Sequence, residues 1–213
     1  MGNEGNKKIL EEILFVYIFV LLLSWASFSF MTLFSGIVAR WSIGCLPLLF
    51  FIIFPIFNNF FRKQDFLEFG ITQKNWLNAF LFGILSGFLI VIIYRSASFY
   101  EPYATFNNKI LALFYWLFLS FSQELFFRGY LQKKLEKILG NNFQSLLISS
   151  FLFAFWHLTL RFDPSWFIFM PLFKIFLVSL IWGAIFQKTK NLIAPITSHF
   201  ITGLGLTNFY YFG

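Results

Sequence analysis

Long apolar runs alternate with short polar segments through most of this chain. Each run is near the ~20 residues that cross a bilayer core as a helix. The pattern predicts spans at about Ile13–Phe34, Ser42–Phe61, Trp76–Tyr94 and Lys109–Leu139. Three more follow at about Phe143–Leu158, Trp166–Phe186 and Asn191–Tyr211. Residues 1–12 read as a polar cytoplasmic tail, and the mixed segment 62–76 as a loop with an interfacial stretch. The first run is too long for the h-region of a signal peptide. Pro47 and Pro55 fall inside the second run, and Pro171 and Lys174 interrupt the sixth. Gly83 and Gly87 in the third form a small-xxx-small pair, which lets another helix approach closely. Gly140-Asn141 reads as a helix stop followed by a turn. No repeat and no second domain are apparent, so residues 1–213 are expected to form one integral membrane domain.

Composition agrees with this. The 213 residues are 59% hydrophobic and only 12% charged, which suits several membrane spans better than a soluble domain. The net charge of +7 raises the question of nucleic acid. The basic residues are spread over short loops with no basic stripe, so membrane topology explains them and no nucleic-acid partner is expected. With the N-terminus inside, the inner segments hold Lys7, Lys8, Arg62, Lys63, Lys74, Arg128, Lys133, Lys134, Lys137, Lys188 and Lys190. The outer loops hold Arg40, Arg95, Lys109 and Arg161. This asymmetry predicts N-inside and C-outside. The single Cys45 excludes an internal disulfide and a cysteine metal cluster.

Against this background a few ionisable residues stand out. The amphipathic end of the fourth span, with Arg128, Lys133, Lys134, Glu136 and Lys137, leaves the membrane, so Glu124 is the one carboxylate found within the membrane part of any predicted span; a carboxylate in lipid is a functional-site hypothesis by default. Arg128 lies one helical turn on, on the same face. The chain's two histidines, His157 and His199, also lie in apolar runs. If spans four and five are straight helices about the Gly140-Asn141 turn, Glu124 and His157 sit at equal height. His199 is about 12 Å of rise into the last span and reaches a similar depth. A carboxylate with a His can activate water, and a His can stabilise an oxyanion. Each residue alone has a plain packing explanation. Two His and a Glu can also bind zinc, but no H-E-x-x-H spacing supports that, so no cofactor is expected.

Three motifs, Glu124-x-x-x-Arg128, Phe153-Ala-Phe-Trp-His157 and Ala194-Pro-Ile-Thr-Ser-His199, resemble the CAAX prenyl endopeptidase and bacteriocin-processing family of intramembrane proteases, also called CPBP or Abi. The resemblance covers about residues 109–205, which it marks as a catalytic core. It implies a glutamate-type, metal-free protease. His157 would help hold and activate water, His199 would help form the oxyanion site, and Arg128 would anchor the carboxylates. Phe153 would serve binding, and Thr202 or Asn208, though neither lies at the family spacing, would supply the donor that the family places four residues after His199.

The chain departs from the family pattern twice. Gln123 replaces the first Glu of the family's Glu-Glu-x-x-x-Arg motif, the position implied to be the water-activating base. Glu124 serves instead, or the chain is a natural non-catalytic relative, or the Gln is an engineered change; the sequence leaves all three open. Gly203 stands four residues after His199, where the family has Asn or another polar residue.

The expected fold is therefore all-α and polytopic, with about seven transmembrane helices around a conical intramembrane cavity that opens to the cytoplasm. The expected function is cleavage of a peptide bond near a membrane-anchored end of a protein or peptide substrate, in a prokaryotic cytoplasmic membrane. The alternatives are a non-catalytic peptide-binding or bacteriocin-immunity protein and, third, a small transporter, for which the absent repeat offers no support.

Overall fold

The computed structural model describes residues 3–31, 33, 43–62, 66–96, 104–106, 109–160 and 169–209. Among these, seven helices carry the chain: α1 (Asn3–Met31), α2 (Leu46–Phe61), α3 (Trp76–Ser96), α4 (Lys109–Leu139), α5 (Asn142–Trp156), α6 (Phe169–Thr189) and α7 (Ile193–Gly205). α1, α3, α4 and α6 are long and apolar enough to cross a membrane; α2 is apolar but shorter. The protein is an all-α membrane protein. Large side chains such as Phe15, Leu85, Phe114 and Phe151 point outward, as lipid-facing residues do.

Several sequence expectations hold. Gly140 caps α4 in the left-handed conformation (φ 60°), and the Asn141 side chain accepts from the backbone N–H of Phe143 and Gln144 to start α5. Gly83 and Gly87 let α3 lie against α7. A Cβ on Gly83 would stand 2.6 Å from the Ala194 carbonyl, and one on Gly87 3.0 Å from that of Ser198. The segment after α2 packs inward through a 3₁₀ turn at Phe66–Phe69. The Asn191 amide then donates to the Thr72 and Lys74 carbonyls at 3.0 Å each, which fixes the entry to α7.

Other expectations need correction. The last helix is short and ends at Gly205 rather than Tyr211; Thr207–Phe209 (β2) then pairs in parallel with Ala104–Phe106 (β1). Pro171 does not interrupt α6, because it falls in the first turn, where its missing N–H has no partner to lose. Residues 3–12 are helical, as the start of α1, so α1 carries Glu4, Glu11 and Glu12 ahead of its apolar run. The loop placed at 161–165 and the start of span six lie outside the described residues.

α4 is continuous but not uniform. It is α-helical to Glu124, π-helical over Leu125–Gln132 and α-helical again from Lys133. All eight π residues are buried. Their rings anchor the core: Phe126 stacks on Phe51 at 4.7 Å, and Phe127 meets Phe153 edge-on at 4.9 Å. π segments inside α-helices are found mostly at functional sites.

Gly203 is where α7 meets α4. A Cβ there would run into the Trp116 ring, which is held in place because its indole N–H donates to Thr207 Oγ1 at 2.8 Å. Overpacking of this kind costs about 1–3 kcal/mol. Gly203→Ala is therefore expected to lower stability by that amount, measured by denaturation in mixed micelles. A variant as stable as the parent would show that the ring moves aside freely.

Candidate active site

The centre of the site is the Glu124 carboxylate, which is fully buried at the α-to-π junction of α4. Arg128 Nε donates to one oxygen at 3.1 Å. The other oxygen faces His199 Nδ1 from α7 at 2.8 Å. A carboxylate oxygen can only accept, so Nδ1 carries the proton. In the neutral ring Nε2 then holds the lone pair. The Trp182 indole stacks on the imidazole, with centroids 3.8 Å apart and planes 16° from parallel. Trp182 is itself fixed by donating to Ser198 Oγ at 3.1 Å. His199 is therefore held at its edge by a carboxylate and on its face by an indole.

Arg128 is also fully buried. Its Nη2 donates to the Ser179 carbonyl at 3.0 Å and to Ser179 Oγ at 2.7 Å, joining α4 to α6. Its guanidinium lies 5.4 Å from the Phe153 ring centroid, a cation–π distance. A buried guanidinium needs both the charge balance of Glu124 and these extra acceptors to be tolerated.

His157 joins this group indirectly. It stands at the C-terminal end of α5, where a 3₁₀ turn begins. Its Nδ1 donates to the Phe153 carbonyl at 2.8 Å, so its Nε2 also holds the lone pair when neutral. Phe153 links the two histidines: its ring lies 4.8 Å from that of His157 and 6.1 Å from that of His199. The side chain bonded to Glu124 is thus His199, and His157 joins through Phe153.

The remaining predicted residues divide. Gln123 is buried beside this cluster, and among the described residues its Oε1 has no hydrogen-bond partner; nor has Arg128 Nη1. A buried polar atom without a partner costs about 1–3 kcal/mol, so each suits a water or a ligand. Thr202 donates its hydroxyl to the Ser198 carbonyl at 2.8 Å, within α7. Asn208 lies in β2, and its side chain is outside the described residues. Ser179 and Trp182 gave no sign in the sequence, since each is a single residue in an apolar run. Among the described residues no group of three or more His, Cys, Asp or Glu side chains forms a metal-ligand set.

Residues 105–204 match the family model described as type II CAAX prenyl endopeptidase Rce1-like. Over this segment, a little under half of the chain, the sequence is similar to the Rce1-like family. Comparison with curated proteins and with solved structures gives no significant match. The Rce1-like segment holds Glu124, Arg128, Phe153, His157, Ser179, Trp182 and His199, so the whole hydrogen-bonded cluster falls inside it.

Proposed function

We propose that this chain is an intramembrane endopeptidase of the CAAX-protease type, which cuts a peptide bond near a membrane-anchored end of its substrate. The observation that carries the reading is the buried Glu124 carboxylate, bonded to a guanidinium on one side and an imidazole on the other within the Rce1-like segment. His199 Nε2 takes a proton from the attacking water. Glu124 holds the ring in the required tautomer and balances the imidazolium that forms. The proton then passes to the leaving amine. Arg128 keeps the carboxylate in place. Gln123 is no base, but its carbonyl oxygen can orient the water. The Lys/Arg distribution supports an N-inside orientation, and no step needs a metal.

A second reading, a non-catalytic peptide-binding or immunity protein, is favoured by Gln123 alone. One experiment separates the two. The protein as written and Gln123→Glu are incubated with prenylated and transmembrane-anchored peptides, with and without a chelator. Cleavage by both, unaffected by the chelator, supports the Glu124–His199 base. Cleavage by Gln123→Glu only, a gain of about 10²–10⁴-fold, makes residue 123 the missing base. Binding without cleavage by either form supports the second reading, and loss of cleavage with the chelator brings back zinc.

A further inference from the structure

Helix α1 lies outside the Rce1-like segment, yet it is bonded to the core at three levels. At the first, Glu12 accepts from Tyr130 Oη at 2.7 Å and from Lys134 Nζ at 2.5 Å, both on α4. It also accepts from Asn58 and Arg62 at the end of α2. At the second, Tyr17 Oη donates to the Leu152 carbonyl at 2.7 Å. At the third, the Trp156 indole N–H donates to Ser24 Oγ at 2.7 Å, with both residues buried.

At each level one core partner is a close sequence neighbour of a site residue. Tyr130 is two residues from Arg128 in the same π segment, Leu152 precedes Phe153, and Trp156 precedes His157. The contacts continue inward. Tyr130 meets the Phe54 ring edge-on at 5.4 Å and lies 4.7 Å from the Lys134 ammonium, so Glu12 fixes a side chain already clamped on two sides. The Trp156 ring meets the His157 ring at 4.8 Å, nearly perpendicular. A buried indole donor has one good partner here, and losing it frees the ring that bounds His157.

We propose that α1 is a positioning element for the site, with Glu12 and Ser24 as positioning residues: Glu12 sets the Arg128–Glu124–His199 end through Tyr130, and Ser24 sets His157 through Trp156. Two anchors spaced along one helix hold two separate parts of the site in register, which packing of an apolar stripe alone does not do.

The chain has only two histidines, so ring NMR signals from histidine-labelled protein in detergent report both parts separately. Ser24→Ala is expected to shift or double the His157 signals and leave those of His199 in place; Ser24→Thr, which keeps the hydroxyl, restores them. Glu12→Gln shifts the His199 signals and leaves His157 in place. Tyr130→Phe, a smaller change that removes the same bond from the other side, does likewise and serves if Glu12→Gln fails to fold. Glu136→Gln, in the separate polar group with Gln187 and Lys133, moves neither. Variants that lower the melting temperature with both rings unmoved would overturn the proposal, as would equal shifts of both rings in every variant. With a cleaved peptide, the α1 variants lower kcat by up to about 100-fold with KM unchanged. That arm alone rests on the peptidase reading; the ring signals need no substrate.

Discussion

Arg128→Met is expected to destabilise the protein by about 3–5 kcal/mol, one of the two largest effects of any single change here. The main cause is the uncompensated charge that remains, and the missing hydrogen bonds add to it. Glu124 and Arg128 are both fully buried, and no water-exposed atom shares their charge. Removing the cation leaves a fully buried carboxylate with, among the described residues, only His199 as a donor. It also leaves the Ser179 carbonyl and hydroxyl without the Nη2 they receive. Arg128→Lys is expected to fall between, since an ammonium keeps the charge but cannot hold Glu124 and Ser179 with one planar fork. The check is denaturation in mixed micelles for Arg128→Met, Glu124→Gln and the pair together. The double variant should recover much of the loss, because two neutral groups replace two charges. A loss below about 1 kcal/mol for Arg128→Met would place the pair in contact with water instead.

That pair was legible in the sequence because it is local. Four residues on one helix face meet whatever the rest of the chain does. The Gly140-Asn141 cap and the Gly83/Gly87 packing face were legible for a similar reason: backbone conformation and small size are properties of the residues themselves. The bond from Glu124 to His199 was not. It joins residues 75 apart in sequence on two helices that only the fold brings together, and nothing in Leu-Phe-Phe-Arg-Gly-Tyr-Leu-Gln separates the π segment beside it from ordinary helix. Glu12 was hidden because it precedes the apolar run and read as tail. Its donors Asn58 and Arg62 stand four apart at the end of α2, and Tyr130 and Lys134 four apart on α4. Two such donor pairs, one toward the end of each of two helices, are the signal that could have led to it. Ser179 and Trp182 carried no such signal, since only the fold brings them to Arg128 and His199.

Glu124→Gln is expected to cost stability as well, since it leaves the buried Arg128 charge without its counter-charge, and in the folded protein to lower kcat by about 10⁴-fold, the second large effect. The argument is one of hydrogen-bond direction. Arg128 can only donate, so the amide oxygen of the new side chain must face Nε. The amide nitrogen then faces His199, and it too can only donate. His199 Nδ1 must become the acceptor, which moves the ring proton to Nε2. Nε2 is the atom proposed to take the proton from water, and in this tautomer it has no lone pair to do so. The packing of His199 on Trp182 needs no change, so the ring stays where it is with its proton on the wrong side. The nitrogen NMR signals of His199 give this directly: Nδ1 protonated in the parent, Nε2 protonated in the variant. Loss of turnover with the tautomer switched supports the Glu124–His199 base. Loss of turnover with the tautomer unchanged would mean that Glu124 acts on the water itself. Full turnover in Glu124→Gln would remove this pair from the chemistry altogether, leaving the dry cluster as the structural lock that joins α4, α6 and α7.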